Sequence, residues 1–465
     1  MADFDLIVIG SGPAGEKGAA QAAYFGKRVA LVEQAAVLGG ASANTGTLPS
    51  KTLRESALFL SGLSQRDLYG VRYTIQDDVT IGTFMYREER VVAKQRELVQ
   101  QNLARHGVAL LRGRATLDGA HSLRVEDSAG VHSYTADVIL IATGSHPYRP
   151  AHVPFDDRRV CDSDSILRLD RIPASLVIVG GGVIGSEYAC LFAALGVRVT
   201  LTDARDRVLP FLDSEIVGLL AERMRALGID LRLGVEVAAI TASEAGVRTA
   251  LNDGRSVDSE ALLFAAGRSG NVDGLNLDGV GVTVNARGHI HVNEHYQTSV
   301  PSIYAAGDVI GFPALAATAM EQARLAMCHA FRLTYKTQLA AILPYGIYTI
   351  PEISAAGASE DDLRHRGIPY EVGRAKFGNN ARGMIIGDTE GLLKLVFDPH
   401  TQRLLGVHII GEDATELVHI GISCMYYQGT IDSFIQSAFN YPTLSEAYKY
   451  AAYDGLGNLA RHTRS

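Results

Sequence analysis

Cysteine is scarce in this chain. Four occur in 465 residues: Cys161, Cys190, Cys328 and Cys424. They stand too far apart to form a metal-binding motif or an obvious redox pair, and they read as buried structural thiols. Basic tracts are missing as well. With 43 Lys and Arg against 51 Asp and Glu, the net charge is −8, which argues against a nucleic-acid partner. No apolar run reaches the roughly 18 residues of a membrane span, so no membrane association is expected, and no metal either. The opening residues begin a strand, a turn and a helix at once. That leaves no room for a signal peptide and points to the cytoplasm.

Glycine and apolar residues are plentiful. Apolar residues make up 47% and charged residues 20%, the balance of a well-cored enzyme. A chain this long is expected to form two to four domains. The 48 glycines exceed the usual share of about 7%. They fall at turns between apolar runs, which suits nucleotide-binding loops better than low complexity.

Two of those turns share one pattern. Leu6-Ile7-Val8-Ile9 is a short apolar strand, followed by Gly10-Ser11-Gly12-Pro13-Ala14-Gly15 and a small-residue helix to about Phe25. A second strand, Arg28 to Val32, ends at Glu33. This is a βαβ dinucleotide fingerprint. Gly10 makes the tight turn, Gly12 lets the backbone approach a pyrophosphate, and Gly15 lets helix and strand pack closely. The helix N-terminus offers free N–H groups to phosphate, and Glu33 would accept hydrogen bonds from a ribose diol. The pattern recurs in Leu176-Val177-Ile178-Val179, Gly180-Gly181-Gly182-Val183-Ile184-Gly185, a helix to about Leu195 and a strand from Val197 to Leu201, with Asp203 at its end. Glu33 follows Gly10 by 23 residues, and Asp203 follows Gly180 by the same 23. One such fingerprint is weak. Two in the same setting, each with its acid, predict two bound dinucleotides.

Three further strand-and-turn segments stand out: Ile139-Leu140-Ile141-Ala142-Thr143-Gly144-Ser145, Leu262-Leu263-Phe264-Ala265-Ala266-Gly267-Arg268 and Ile303-Tyr304-Ala305-Ala306-Gly307-Asp308. Residues 53–104 carry helical patterning, with Arg90, Lys94 and Arg96 read as solvated charges. Near the C-terminus, Leu392–Phe397 and Leu404–Ile410 read as strands, and helices are expected around 413–427 and 443–457.

Residues 39–51 read Gly-Gly-Ala-Ser-Ala-Asn-Thr-Gly-Thr-Leu-Pro-Ser-Lys. With the two fingerprints, this segment resembles the redox-active stretch of the flavoprotein disulfide reductases, such as dihydrolipoamide dehydrogenase and glutathione reductase. Where those enzymes carry two cysteines five apart, this chain has Ser42 and Thr47. Hydroxyls cannot carry two electrons as a dithiol can. Those enzymes also place a His-Pro near the C-terminus as acid–base catalyst, whereas here Tyr441-Pro442 stands there and Glu446 remains. A phenol, with a pKa of about 10, is poorly matched to proton exchange with thiols at neutral pH. The thiols and their base are lost together.

Within that superfamily, this chain resembles the soluble, Si-specific pyridine nucleotide transhydrogenases. The similarity runs through Gly46–Glu55, Gly307–Pro313, Gly346–Glu352 and Phe439–Thr443. Thr47 and Tyr441 match that family, whereas Ser42 departs from it. The resemblance implies an α/β fold with two Rossmann-like dinucleotide-binding domains, for FAD and NAD(P), plus a C-terminal α+β dimerisation domain. Its boundaries would be 1–148 and 271–342 for a split FAD domain, 149–270 for the inserted NAD(P) domain and 343–465 for dimerisation. It further implies that Gly10, Gly12, Gly15, Glu33, Gly40, Thr47, Lys51, Thr143, Gly144 and Asp308 hold FAD. Gly180, Gly182, Gly185, Asp203, Arg205 and Gly267 would hold the nicotinamide nucleotide. Lys51 would lie beside flavin N5, paired with Glu187, as the catalytic residues. The expected activity is hydride transfer between NADPH and NAD through the flavin, by a ping-pong mechanism, in a homodimer or larger homo-oligomer. Asp203 suits the 2′-hydroxyl of NAD, and Arg205 or Arg207 would pair with the 2′-phosphate of NADP. The nearest alternative is an NAD(P)H:quinone or dye reductase. A nucleotide-binding subunit without catalysis and a working disulfide reductase are the remaining readings.

Overall fold

The computed structural model describes residues 2–62, 68 and 80–462. They fall into two compact units, one made of residues 2–53, 85–150 and 267–340, the other of 54–62, 68, 80–84, 151–266 and 341–462.

The first unit is built on a seven-stranded sheet. Ala109–Arg112, Val29–Glu33, Phe4–Ile9, the end of Gly130–Ile141 and Ile303–Ala305 run parallel, in that order. An antiparallel ribbon of Arg114–Gly119 and Ser122–Asp127 extends the sheet from the first half of Gly130–Ile141. The central strands bury both faces, so they read as unbroken apolar runs rather than alternating ones. Leu6, Val8, Leu31 and Leu140 face one core, with Ala19 and Ala22 of helix Pro13–Tyr24 and Ala323 and Met327 of helix Ala316–Ala330. Ile7, Ile9, Ile139 and Ile303 face the other core.

The region patterned as helical over 53–104 is two helices, Thr47–Ser61 and Ile81–Arg105. The part of that pattern at 63–67 and 69–79 lies outside the described residues. Arg96, expected to be solvated, is half-buried, and its Nε donates to Asn44 Oδ1 at 2.6 Å. Arg90 and Lys94 are exposed.

Among the described residues, the second unit holds three sheets of different character. A parallel sheet runs Asp230–Leu233, Arg198–Asp203, Ser175–Val179, Ala261–Phe264, Val160–Cys161, and a three-stranded antiparallel meander covers Val237–Ser259. The third sheet is antiparallel, in the order Tyr345–Ile347, Ile353–Gly357, Leu404–Ile410, Leu392–Phe397, Glu371–Lys376. Helices Ala414–Tyr426 and Ala447–His462 supply apolar residues to one core with it. No helix among the described residues is long and apolar enough to cross a membrane. None of their His, Cys, Asp and Glu side chains gather in threes that could hold a metal ion.

Candidate dinucleotide sites and their electrostatics

The two glycine turns fold alike. Gly10 and Gly180 take φ of +103° and +111°, a region that excludes most side chains. A Cβ on Gly15 would overlap the carbonyl oxygen of Gly10, and one on Gly185 would overlap that of Gly180. Each third glycine therefore lets its helix close on the strand before it. Pro13–Tyr24 and Val183–Ala194 both start on an extended glycine, Gly12 or Gly182, whose side supplies no cap to the free N–H groups. That leaves the helix N-terminus and its partial positive charge for an anion.

Each unit answers its turn with one acid, and the two acids are held differently. Glu33 is buried at the end of its strand. Its Oε2 accepts from the Ser11 N–H at 3.0 Å and the Ser11 hydroxyl at 2.6 Å, and its Oε1 accepts from the Ala35 N–H at 2.8 Å. Asp203 is also buried, and its Oδ2 accepts from the Gly181 N–H at 2.5 Å. Arg205 then clamps it, with Nε on Oδ1 at 2.8 Å and Nη2 on Oδ2 at 2.6 Å. Burial works against charge on Asp203. The Arg205 guanidinium and the backbone N–H groups of Arg205 and Gly181 more than offset that, holding the carboxyl below its ordinary 3.8. The sequence offered Asp203 and Arg205 as independent contacts; the structure makes them one ion pair. Arg207 lies with its Nη2 on the Pro210 carbonyl at 3.0 Å and 3.9 Å from Asp361.

In the first unit, Thr143 and Gly144 follow strand Gly130–Ile141. The Thr143 hydroxyl is buried and has no hydrogen-bond partner among the described residues, while its carbonyl accepts from Asn271 at 2.8 Å. Gly40 packs so closely on Gly12 that a Cβ there would stand 2.8 Å from the Gly12 Cα. Nothing stands within 4 Å of a Cβ built on Gly144, and the same holds for Gly182 in the second unit. Asp308 opens a short 3-10 turn after Ile303–Ala305. An unpartnered buried hydroxyl, bare helix N-termini and open ground over these glycines fit a dinucleotide in each unit. Gly267, assigned from sequence to the nicotinamide nucleotide, belongs to the first unit, where its carbonyl accepts from the Tyr148 N–H at 3.0 Å.

Ser42 sits on the short helix Gly40–Asn44, and Thr47 opens helix Thr47–Ser61. Lys51, on the next turn, is half-buried, with its Nζ 3.4 Å from the Ser50 hydroxyl. Glu187 is buried on helix Val183–Ala194, where its Oε1 accepts from the Tyr348 N–H at 2.9 Å. Arg54 ties down the same segment of chain, donating to the Thr349 carbonyl at 3.0 Å and lying 3.5 Å from Glu352. Tyr441 is 74% exposed.

The cysteines offer no substitute relay. All four are unpaired; three are buried, whereas Cys424 is half-exposed, contrary to expectation, with its Sγ 3.5 Å from the Ser433 hydroxyl. Burial pushes the thiols of Cys161 and Cys190 up to about 12, far from the thiolate that exchange chemistry needs.

A buried ionic cluster in the second unit has little signal in the sequence. Lys394, 1% exposed, lies 2.8 Å from Asp213, 2.9 Å from Glu215 and 2.5 Å from Glu360. Its signal was a lone lysine inside the apolar strand Leu392–Phe397.

Comparison with known proteins agrees with this anatomy. A family model described as pyridine nucleotide-disulphide oxidoreductase matches residues 4–323, and the dimerisation-domain model of the same name matches 343–452. A soluble pyridine nucleotide transhydrogenase of Mycobacterium bovis is 47% identical, covering 99% of this chain and 98% of its own. One of Chromohalobacter salexigens is 42% identical, covering 98% and 99%. Among solved structures, LpdA of Mycobacterium tuberculosis superposes with a TM-score of 0.89 at 27% identity, covering 96% of this chain and 99% of its own. The HOCl-induced flavoprotein disulfide reductase RclA of Escherichia coli does so with 0.86 at 29%, covering 97% and 99%. With both family models matched and relatives of this similarity along nearly its whole length, the chain belongs to the pyridine nucleotide-disulphide oxidoreductase family, among the relatives of the soluble pyridine nucleotide transhydrogenases.

Proposed function

We propose that this protein is an FAD-dependent transhydrogenase that moves hydride between NADPH and NAD, the two nucleotides taking turns in one site. The observation that carries this reading is the pairing of two complete dinucleotide turns with the absence of any usable dithiol. When bound, FAD would supply the two-electron carrier that receives hydride and returns it. The chain's own residues do the rest. Gly10, Gly12, Gly15, Glu33, Gly40, Thr47, Thr143, Gly144 and Asp308 hold the flavin nucleotide, and Gly180, Gly182, Gly185, Asp203 and Arg205 hold the nicotinamide nucleotide. Lys51 and Glu187 take the catalytic roles that the resemblance implies. The Lys51 cation stabilises negative charge in a partly dry setting.

The domains follow the boundaries 1–148 with 271–342, 149–270 and 343–465. The protein works in the cytoplasm as a homodimer or larger homo-oligomer. The exposed tyrosines of the C-terminal region, Tyr426, Tyr427, Tyr441, Tyr450 and Tyr453, suit an assembly surface, since such rings are enriched at interfaces.

The Asp203–Arg205 pair explains how one site serves two nucleotides. Paired, it presents little net charge to a 2′-hydroxyl. Opened, it frees a guanidinium for a 2′-phosphate. Arg205→Ala is expected to lower kcat/KM for NADPH by roughly 10- to 100-fold, the loss of a charge-assisted contact of about 1.5–3 kcal/mol, and to leave NADH within about threefold. An unchanged NADPH-to-NADH ratio would remove Arg205 from nucleotide selection. The activity itself is tested by initial rates with NADPH and a thio-NAD analogue beside NADPH and a quinone. Parallel reciprocal plots and a faster thio-NAD reaction are the expected result. Turnover with the quinone alone would make the protein a quinone or dye reductase.

A further inference from the structure

We propose that Arg268 and Ser145 are positioning residues for the flavin nucleotide, acting through Asp308. The inference rests on the assignment of Asp308 to that nucleotide given above. Strand Ser145–Pro147 and strand Arg268–Gly270 pair antiparallel, with Arg268 opposite Pro147 and Gly270 opposite Ser145. This register brings the arginine fork onto Ser145. Its Nη2 donates to the Ser145 carbonyl at 2.7 Å and its Nε to the Ser145 hydroxyl at 2.8 Å. With its lone pair so engaged, that hydroxyl points its own proton onward and donates to Asp308 Oδ2 at 2.8 Å.

The chain of bonds has one direction: cation, hydroxyl, carboxylate. Each bond polarises the next. Ser145 is buried, while Arg268 and Asp308 are half-buried, so water competes only partly for these groups. Asp308 Oδ2 is thereby fixed, and its Oδ1 carries no hydrogen bond to the described residues. The backbone holds the other end of the turn, where Gly307, at φ +80°, donates its N–H to Gln322 Oε1 at 2.9 Å. A carboxylate with one oxygen tied and one bare is prepared to accept from a polyol hydroxyl. Arginine is required because its fork reaches both the carbonyl and the hydroxyl of one residue, which a lysine cannot do.

The test uses the full-length protein, stripped of FAD and reconstituted, with affinity read from quenching of flavin fluorescence. Ser145→Ala and Arg268→Met are each expected to weaken FAD about tenfold, the fold-change of a lost hydrogen bond to a charged group. Ser145→Thr, which keeps the hydroxyl, is expected to restore most of it. In an Asp308→Asn background, Ser145→Ala should add less than about twofold, because both changes then remove one interaction. The melting temperature of the FAD-free variants should match that of the FAD-free parent, which a purely structural role would not allow. Additive losses, or full affinity in Ser145→Ala while Asp308→Asn is impaired, would overturn the relay and leave Asp308 as the contact. Full affinity in Asp308→Asn would overturn that assignment and the relay with it.

Discussion

Lys394→Met is expected to destabilise the second unit by about 3–5 kcal/mol, the cost of removing one partner from a buried ionic group. Lys394 has almost no exposure, and three carboxylates converge on it. Asp213 caps helix Ser214–Ala226, accepting from the Glu215 and Ile216 N–H groups, and is itself fully buried. Arg374 shares the load, binding both oxygens of Glu215 at 2.8 and 2.9 Å. Arg374, Lys394 and His408 stand opposite one another on three adjacent strands. Methionine fills the volume but leaves Asp213 without its lysine and Glu360 with only the longer contacts to Arg374, at 3.3 Å, and Arg364, at 3.8 Å. Replacing Lys394→Met, Asp213→Asn and Glu360→Gln together keeps the shape, keeps a helix cap and removes the stranded charges, so most of the loss should return. Urea midpoints of the two variants check this. A Lys394→Met midpoint close to that of the parent would mean that the cluster contributes little.

The same cluster sets a pH window. Burial alone would raise the Asp213 carboxyl; Lys394 and, when protonated, His408 outweigh it and hold the group below its ordinary 3.8. For Glu215, too, burial is outweighed, by Arg374 and Lys394, and the carboxyl falls below 4.5. These groups contribute stability that is present above their ordinary values and lost as pH falls through the depressed ones. Burial would lower Lys394, but Asp213, Glu215 and Glu360 carry it above 10.5. Its contribution is complete below that value and fades as pH rises through the raised one. His408 sits beside them with its Nε2–H donating to the Ala358 carbonyl at 3.0 Å, and burial pushes its imidazole down. Acid unfolding should therefore set in below about pH 4. Asp213→Asn should show a shallower loss of midpoint between neutral and acid pH than the parent. Identical acid limbs would exclude Asp213 as a contributor.

Gly185→Ala is expected to give a protein that stays yellow but that NADPH no longer reduces. The new methyl group would collide with the Gly180 carbonyl, a backbone atom that cannot step aside as a side chain can. Forcing such an overlap costs about 3 kcal/mol, which the turn relieves by moving off the conformation that receives the nucleotide. Gly15→Ala places the same methyl against the Gly10 carbonyl and should yield a colourless protein. Absorbance of the purified variants and a rapid-mixing trace with NADPH check both expectations. Normal reduction of Gly185→Ala would detach the second turn from nicotinamide binding.

Local patterns were legible in the sequence because their causes are local. A turn that needs φ near +105° must use glycine, and a helix that must close on a strand must use another. Both βαβ units therefore announced themselves, with their strands, helices and acids placed to within one or two residues. The C-terminal strands Leu392–Phe397 and Leu404–Ile410 were equally plain, being apolar runs bounded by Asp398-Pro399 and glycine. What escaped was long-range. Nothing near Ser145 in sequence announces Arg268 or Asp308, which strand pairing brings to it. Lys394 stands in an apolar strand with no acid beside it in sequence; Asp213 and Glu360 reach it from elsewhere in the chain. Arg205 looked free to meet a phosphate, yet it closes on an acid two residues away. Arg96 has the pattern of a solvated charge because its partner, Asn44, lies on another helix.

The most direct measurement is anaerobic addition of NADPH to the purified holoprotein, followed by NAD, with visible absorbance, NADH and free thiols all recorded. The expected sequence is bleaching of the flavin band by NADPH, its recovery on adding NAD with one NADH formed per flavin, and an unchanged titre of the four cysteine thiols. A flavin that NADPH does not bleach, a bleached flavin that NAD does not restore, or reducing equivalents found on a cysteine pair would contradict a hydride path that runs through the flavin alone.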